Sequence, residues 1–226
     1  MTAPAPFVFF FDVDNTLLDN DTMSRDLRAY LTDAFGEERA QRYWTIFEEL
    51  RTELGYADYL GTLQRYRVEN LRDPHMLAAS NYLVTYPFKD RLFPGTLDLL
   101  HQLHQYGTVA ILSDGDVVYQ PRKIARSGLW DAVDGNVLIY IHKEEMLDDV
   151  AERYPAMRYV IVDDKVRLLA SMKAIWGEQL VTVFVRQGHY AHDQRLLDEY
   201  PPADITVERI GDLLDNPDFA ALIGRR

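Results

Sequence analysis

The sequence predicts an α/β protein: a parallel sheet with helices on both faces, interrupted early by a helical insertion. Three observations carry this. Short, continuous runs of β-branched or aromatic residues recur along the chain, each suited to a strand buried on both faces. From residue 89 to 226 these runs alternate with segments of helical spacing, whereas residues 17–88 contain helix-favouring sequence and no comparable run. With 226 residues, 47% hydrophobic and 27% charged, the chain has material for a sizeable core, which excludes disorder as its main state.

Taken in order, Phe7-Val8-Phe9-Phe10-Phe11 forms the first strand and ends at an acidic cluster. Helical segments follow around Leu27 to Phe35, Glu38 to Leu54, Tyr59 to Val68 and Met76 to Val84. Pro87, Pro94 and Gly95 punctuate the return to the α/β pattern. The organisation expected is an α/β core over 1–16 and 89–226, with a helical unit over 17–88. A helix from Thr96 to Tyr106 carries Leu97, Leu100 and His104 on one stripe, with Gly107 where a C-cap would sit. Val109 to Leu112, Val137 to Ile141, Tyr159 to Val162 and Val181 to Val185 supply four more strands. The tail adds Ile205 to Val207 and one or two terminal helices.

Lys+Arg of 24 against Asp+Glu of 36 gives a net charge of −12, so nucleic acid and anionic membrane surfaces repel the molecule overall. Without cysteine there is no disulfide or thiolate metal site. No basic region precedes the first apolar stretch and no apolar run approaches a membrane span, so a cytoplasmic protein is expected.

Four features lie at or just after the C-terminal ends of predicted strands, the edge where open parallel sheets bind ligands. Asp12-Val13-Asp14-Asn15-Thr16 offers one carboxylate able to attack phosphorus and, two residues on, another able to exchange a proton with the leaving group. Ser113-Asp114-Gly115-Asp116 offers a hydroxyl and backbone N–H groups at the start of a helix, a cradle for phosphate oxygens. Lys143 supplies a cation. Asp163-Asp164 is a costly carboxylate pair unless a cation lies between its members.

In this order along the chain the four resemble the signature motifs of the haloacid dehalogenase superfamily. Gln120, Lys123, Gly128-Leu129 and the Val183 to Gly188 strand and turn look like family background. The resemblance implies a Rossmann-like core, with the insertion as a type 1 helical cap. It implies a phosphatase using Mg²⁺ and a small phosphorylated substrate, a monomer or homodimer with neither nucleic acid nor membrane as partner. Asp12 would be nucleophile and metal ligand, and Asp14 the general acid and base, coordinating through its carbonyl. Ser113 would hold a phosphoryl oxygen, and Lys143 would offset charge on Asp12 and the phosphoryl group. Asp164, with Asp163 as partner, would ligate the metal, while backbone groups of Val13, Asp14 and Asp114 complete the phosphate cradle. Two positions depart from the pattern: no proline follows Lys143, and Asp114 stands where Asn is common.

Dehalogenases and phosphomutases of the same superfamily are alternatives, the former lacking a second acid at the position of Asp14. A receiver-like signalling domain would place its acidic pair near the first strand, and a non-catalytic phospholigand-binding protein would use the same residues without turnover. In the insertion, Tyr43, Phe47, Tyr59, Leu63 and Tyr66 follow helical stripes expected to pack, and the Gly55-Tyr56 turn is the segment expected to reach the site. His101, His104, His189 and His192 read as surface or packing residues, and His142 as a residue at the site edge.

Overall fold

The computed structural model describes residues 5–224. Six strands form one sheet: β1 (Ala5–Phe11), β2 (Thr108–Asp114), β3 (Val137–Tyr140), β4 (Ala156–Asp163), β5 (Leu180–Val185) and β6 (Ile205–Val207). Their order is β3-β2-β1-β4-β5-β6 and every pairing is parallel. The chain builds outward from β1 through β2 to β3, then returns to lay β4 on the other side of β1. The order therefore reverses at β1, which puts a crevice at the C-terminal ends of β1 and β4.

The buried strand residues face one of two cores in alternation, because side chains alternate across a pleated strand. Phe9, Phe11, Ile111, Val160 and Val183 point into one, and Val8, Phe10, Leu112, Ile161 and Phe184 into the other. The first core is closed by α5 (Thr96–Leu103), α6 (Tyr119–Ser127), α7 (Leu129–Ala132) and α11 (Pro217–Gly224). The second is closed by α8 (Leu147–Arg153), α9 (Val166–Trp176) and α10 (Gln194–Glu199).

Between β1 and β2 run α1 (Asn20–Phe35), α2 (Glu37–Leu54), α3 (Tyr59–Glu69) and α4 (Met76–Thr85). Asp19 caps α1 by accepting from the Thr22 backbone N–H at 2.8 Å, and Asp58 caps α3 by accepting from Gly61 at 2.6 Å. The buried stripes Met23, Leu27, Leu31 of α1 and Ala40, Tyr43, Phe47, Leu50 of α2 join the first core without a break. Tyr43 and Tyr66 pack as their spacing predicts.

One detail differs from the sequence expectation. The helix at Thr96 ends at Leu103, well before Gly107. Gly107 instead permits close approach to the first strand, since a Cβ there would lie 2.2 Å from the Phe7 carbonyl oxygen. Among the described residues no helix is long and apolar enough to cross a membrane.

Candidate active site

The strand ends deliver the predicted residues to one place. Asp12 follows β1, where its backbone N–H donates to the Val162 carbonyl of β4 at 3.0 Å. The chain then reverses sharply: the N–H groups of Thr16, Leu17 and Leu18 all donate to the Val13 carbonyl, with Asn15 at a positive φ of 62°. Asn tolerates this conformation. Its side chain also exchanges two hydrogen bonds with Asp21, at 3.0 and 3.1 Å, and Asp21 in turn accepts from the backbone N–H of His189. The turn is thus braced to the loop after β5. Val13 buries its side chain in the first core, so only its backbone can serve a phosphate cradle.

Lys143 arrives from the loop after β3. Its Nζ lies 2.6 Å from Asp12 Oδ1 and 2.7 Å from Asp163 Oδ2, and donates to the Leu112 carbonyl at 3.2 Å. Burial alone would lower the pKa of this ammonium, but Asp12 and Asp163 outweigh it and raise it, so the lysine is a fixed positive charge. Asp114 Oδ1 accepts from the Lys143 backbone N–H at 2.8 Å. Ser113 Oγ is buried and accepts from Gln120 Nε2 of α6 at 3.0 Å.

Asp12, Asp163 and Asp164 are all buried and can each place an oxygen within 4.8 Å of the others. Asp163 Oδ1 is occupied by the Lys165 backbone N–H at 2.8 Å. Asp12 Oδ2 and both oxygens of Asp164 have no hydrogen-bond partner. Burial pushes the carboxyls of Asp163 and Asp164 up, with Lys143 and Lys165 opposing it incompletely. Unpartnered buried oxygens of this kind fit a hard divalent cation, which takes oxygen ligands. Asp14 stands apart from this cluster, with its carboxylate on Lys123 Nζ at 2.7 and 2.9 Å.

Above these groups opens a cavity of about 710 Å³. Asp14, Asp114 and Lys165 of the core line it together with Trp44, Phe47, Arg51 and Tyr56 of the insertion and with His142 and Tyr190. Gly55 and Tyr56 border it as the sequence predicts, and Gly55 lies against the His142 ring. Arg51 donates to the Tyr190 hydroxyl, joining the insertion to the loop after β5. His189 is an exposed residue, as the sequence reading expects, and it lines the cavity while bound to Asp21. A second depression, about 720 Å³, lies on the outer face of α1 and α2 and carries none of the motif residues.

Residues 8–175 match the family model of the haloacid dehalogenase-like hydrolases. The chain is 60% identical to a haloacid dehalogenase-like hydrolase from Burkholderia xenovorans LB400, with a TM-score of 0.90 over 96% of this chain and 99% of that one. Two more distant structures share the fold. One is the HAD-hydrolase YfnB from Bacillus subtilis bound to magnesium, at 16% identity and TM-score 0.62, covering 93% and 98% of the two chains. The other is L-2-haloacid dehalogenase from Xanthobacter autotrophicus, at 18% identity and TM-score 0.61, covering 97% and 99%. No curated protein matches the chain.

Proposed function

The chain belongs to the haloacid dehalogenase-like hydrolase family, and from that premise we propose that it is a Mg²⁺-dependent phosphomonoester hydrolase acting on a small phosphorylated metabolite. The observation that carries this reading is Asp14. It places a second carboxylate two residues beyond the nucleophile and on the wall of the cavity, within reach of a substrate's leaving oxygen in this reading. Displacement of halide from carbon needs no such group, because halide leaves without a proton.

In the first step an Asp12 oxygen bonds to phosphorus while the ester P–O bond breaks, and the proton of Asp14 goes to the departing oxygen. In the second, Asp14 takes a proton from water as that water attacks phosphorus, and the bond to Asp12 breaks, returning carboxylate and inorganic phosphate. Lys143 fixes Asp12 and faces the charge gathered at the phosphoryl group. Ser113 and the backbone of residues 13, 14 and 114 would hold phosphoryl oxygens. Asp12, Asp164 and the Asp14 carbonyl would hold Mg²⁺, with Asp163 behind them; bound there, the ion supplies charge neutralisation to the phosphoryl oxygens. The helical insertion acts as the cap that covers the substrate and excludes water. The magnesium in the Bacillus subtilis relative supports the choice of metal.

The test is release of phosphate from a panel of phosphorylated metabolites, and of halide from 2-halocarboxylates, with Mg²⁺ or with chelator. The expected result is Mg²⁺-dependent phosphate release that falls at least about a thousandfold in Asp12→Asn. Halide release alone would make the protein a dehalogenase. Phosphate release that survives Asp12→Asn in folded protein would remove the nucleophile.

A further inference from the structure

Lys123 lies on α6, only 1% exposed, and the mechanism above gives it no part. An ammonium carries three donors and is costly to bury without acceptors. Lys123 Nζ donates to Asp14 Oδ1 at 2.7 Å, to Asp14 Oδ2 at 2.9 Å and to Asn20 Oδ1 at 3.2 Å. All three acceptors belong to the segment following β1. Asn20 opens α1, and its Nδ2 donates to the Tyr59 hydroxyl at 3.4 Å; that hydroxyl shares a further hydrogen bond of 3.0 Å with Ser24. Tyr59 opens α3, directly after the Gly55 turn at the cavity.

Asp14 has two side-chain torsions, and its side chain is 27% exposed on the wall of an open cavity. Nothing else among the described hydrogen bonds holds those two oxygens. A lysine engaging both fixes the plane and direction of the carboxylate; when Asp14 takes up its proton one of the two contacts gives way and the other keeps that direction, which a proton transfer at one defined oxygen requires.

We propose that Lys123 is a positioning residue that clamps the Asp14 carboxylate by both oxygens and ties the clamp, through Asn20, to Tyr59 of the insertion. This rests on the phosphatase reading. Its consequence is selective. Without Lys123, steps that move a proton through Asp14 suffer more than Asp12's attack on an ester whose leaving group needs no proton.

Lys123→Met keeps the aliphatic stem and removes the donors. Its turnover is compared with wild type on p-nitrophenyl phosphate, whose leaving group is stable as an anion, and on an alkyl phosphate, whose leaving group is not. The rate of ester cleavage, measured in a single turnover, should fall at least about tenfold more for the alkyl phosphate. Adding Lys123→Met to Asp14→Asn should cost little beyond Asp14→Asn alone, because one residue acts through the other. Equal losses on both esters, or additive losses in the double variant, would overturn the proposal and leave Lys123 a structural lysine. If Lys123→Met melts far below wild type, Lys123→Gln is put through the same comparison. Absence of phosphatase activity in the wild type would refute the enzymatic reading alone. A crystal structure of Lys123→Met then decides the clamp: Asp14 turned from its wild-type orientation supports it, and Asp14 unmoved sinks it.

Discussion

Asp114 shows how one side chain can be both a brace and a cost. It holds the backbone of Lys143, yet burial pushes its carboxyl up to about 6 from 3.8, with Lys143 and Lys165 only partly opposing that. A carboxyl raised in the folded state favours the protonated form, so the folded protein loses stability as pH climbs from about 4 to about 6. Asp114→Asn can still accept from Lys143 without a charge to bury. In metal-free buffer it should therefore melt above wild type at pH 7.5, by the equivalent of about 1–2 kcal/mol, with the difference vanishing below about pH 4. A thermal melt series across pH checks this. At this scale the motif residues were legible because each stands beside a strand end, and the parallel sheet carries those ends to one edge. Lys123 was marked as family background but its contact with Asp14 was not legible, and Lys165 was passed over, because a lone lysine in a sequence looks like a surface lysine. The clue for Lys123 was its place three residues after Gln120, on the helix face that turns inward.

Among the elements, the turn between α2 and α3 brings the insertion against His142, in the loop after β3. Gly55 ends α2 with φ of 83°, and a Cβ there would meet His142 Cε1 at 2.6 Å. Gly128 ends α6 with φ of 86° and open space around it. Gly55→Ala and Gly128→Ala should each lose about 1–2 kcal/mol to left-handed strain, or roughly 2–8 °C in melting temperature. Only Gly55→Ala should also raise KM, because it displaces a residue lining the cavity; a KM effect from both, or from neither, would contradict that assignment. Five strands were legible as runs rich in β-branched or aromatic residues, and β6 only as the short Ile205-Thr206-Val207 stretch. Gly107 misled for a physical reason: glycine marks both a helix end and a close backbone approach, and here the approach to Phe7 decides. The short α8 and α10 have too few turns to carry a periodic signal of their own.

For the whole molecule, the sheet order was beyond the sequence, since parallel runs of similar composition do not say which neighbours which. Once the order reverses at β1, the three carboxylates of Asp12, Asp163 and Asp164 meet at the crevice of a chain already carrying a charge of −12. A cation bound there should stabilise the fold: at about a hundredfold excess over Kd the gain is about 2.7 kcal/mol, or about 5 °C or more. Asp164→Asn should abolish this response to Mg²⁺ while raising the metal-free melting temperature, because it removes a buried carboxylate whose oxygens have no hydrogen-bond partner. Scanning calorimetry with and without Mg²⁺ reads both. The central claim, however, is covalent. The most direct measurement is to quench the enzyme with acid during turnover of its best phosphomonoester, digest it, and locate any phosphoryl group by mass spectrometry. A phosphorylated peptide whose modified residue is Asp12, absent in Asp12→Asn, is expected. Phosphate released with no phosphorylated peptide on rapid quenching, or with the group on another residue, would contradict it.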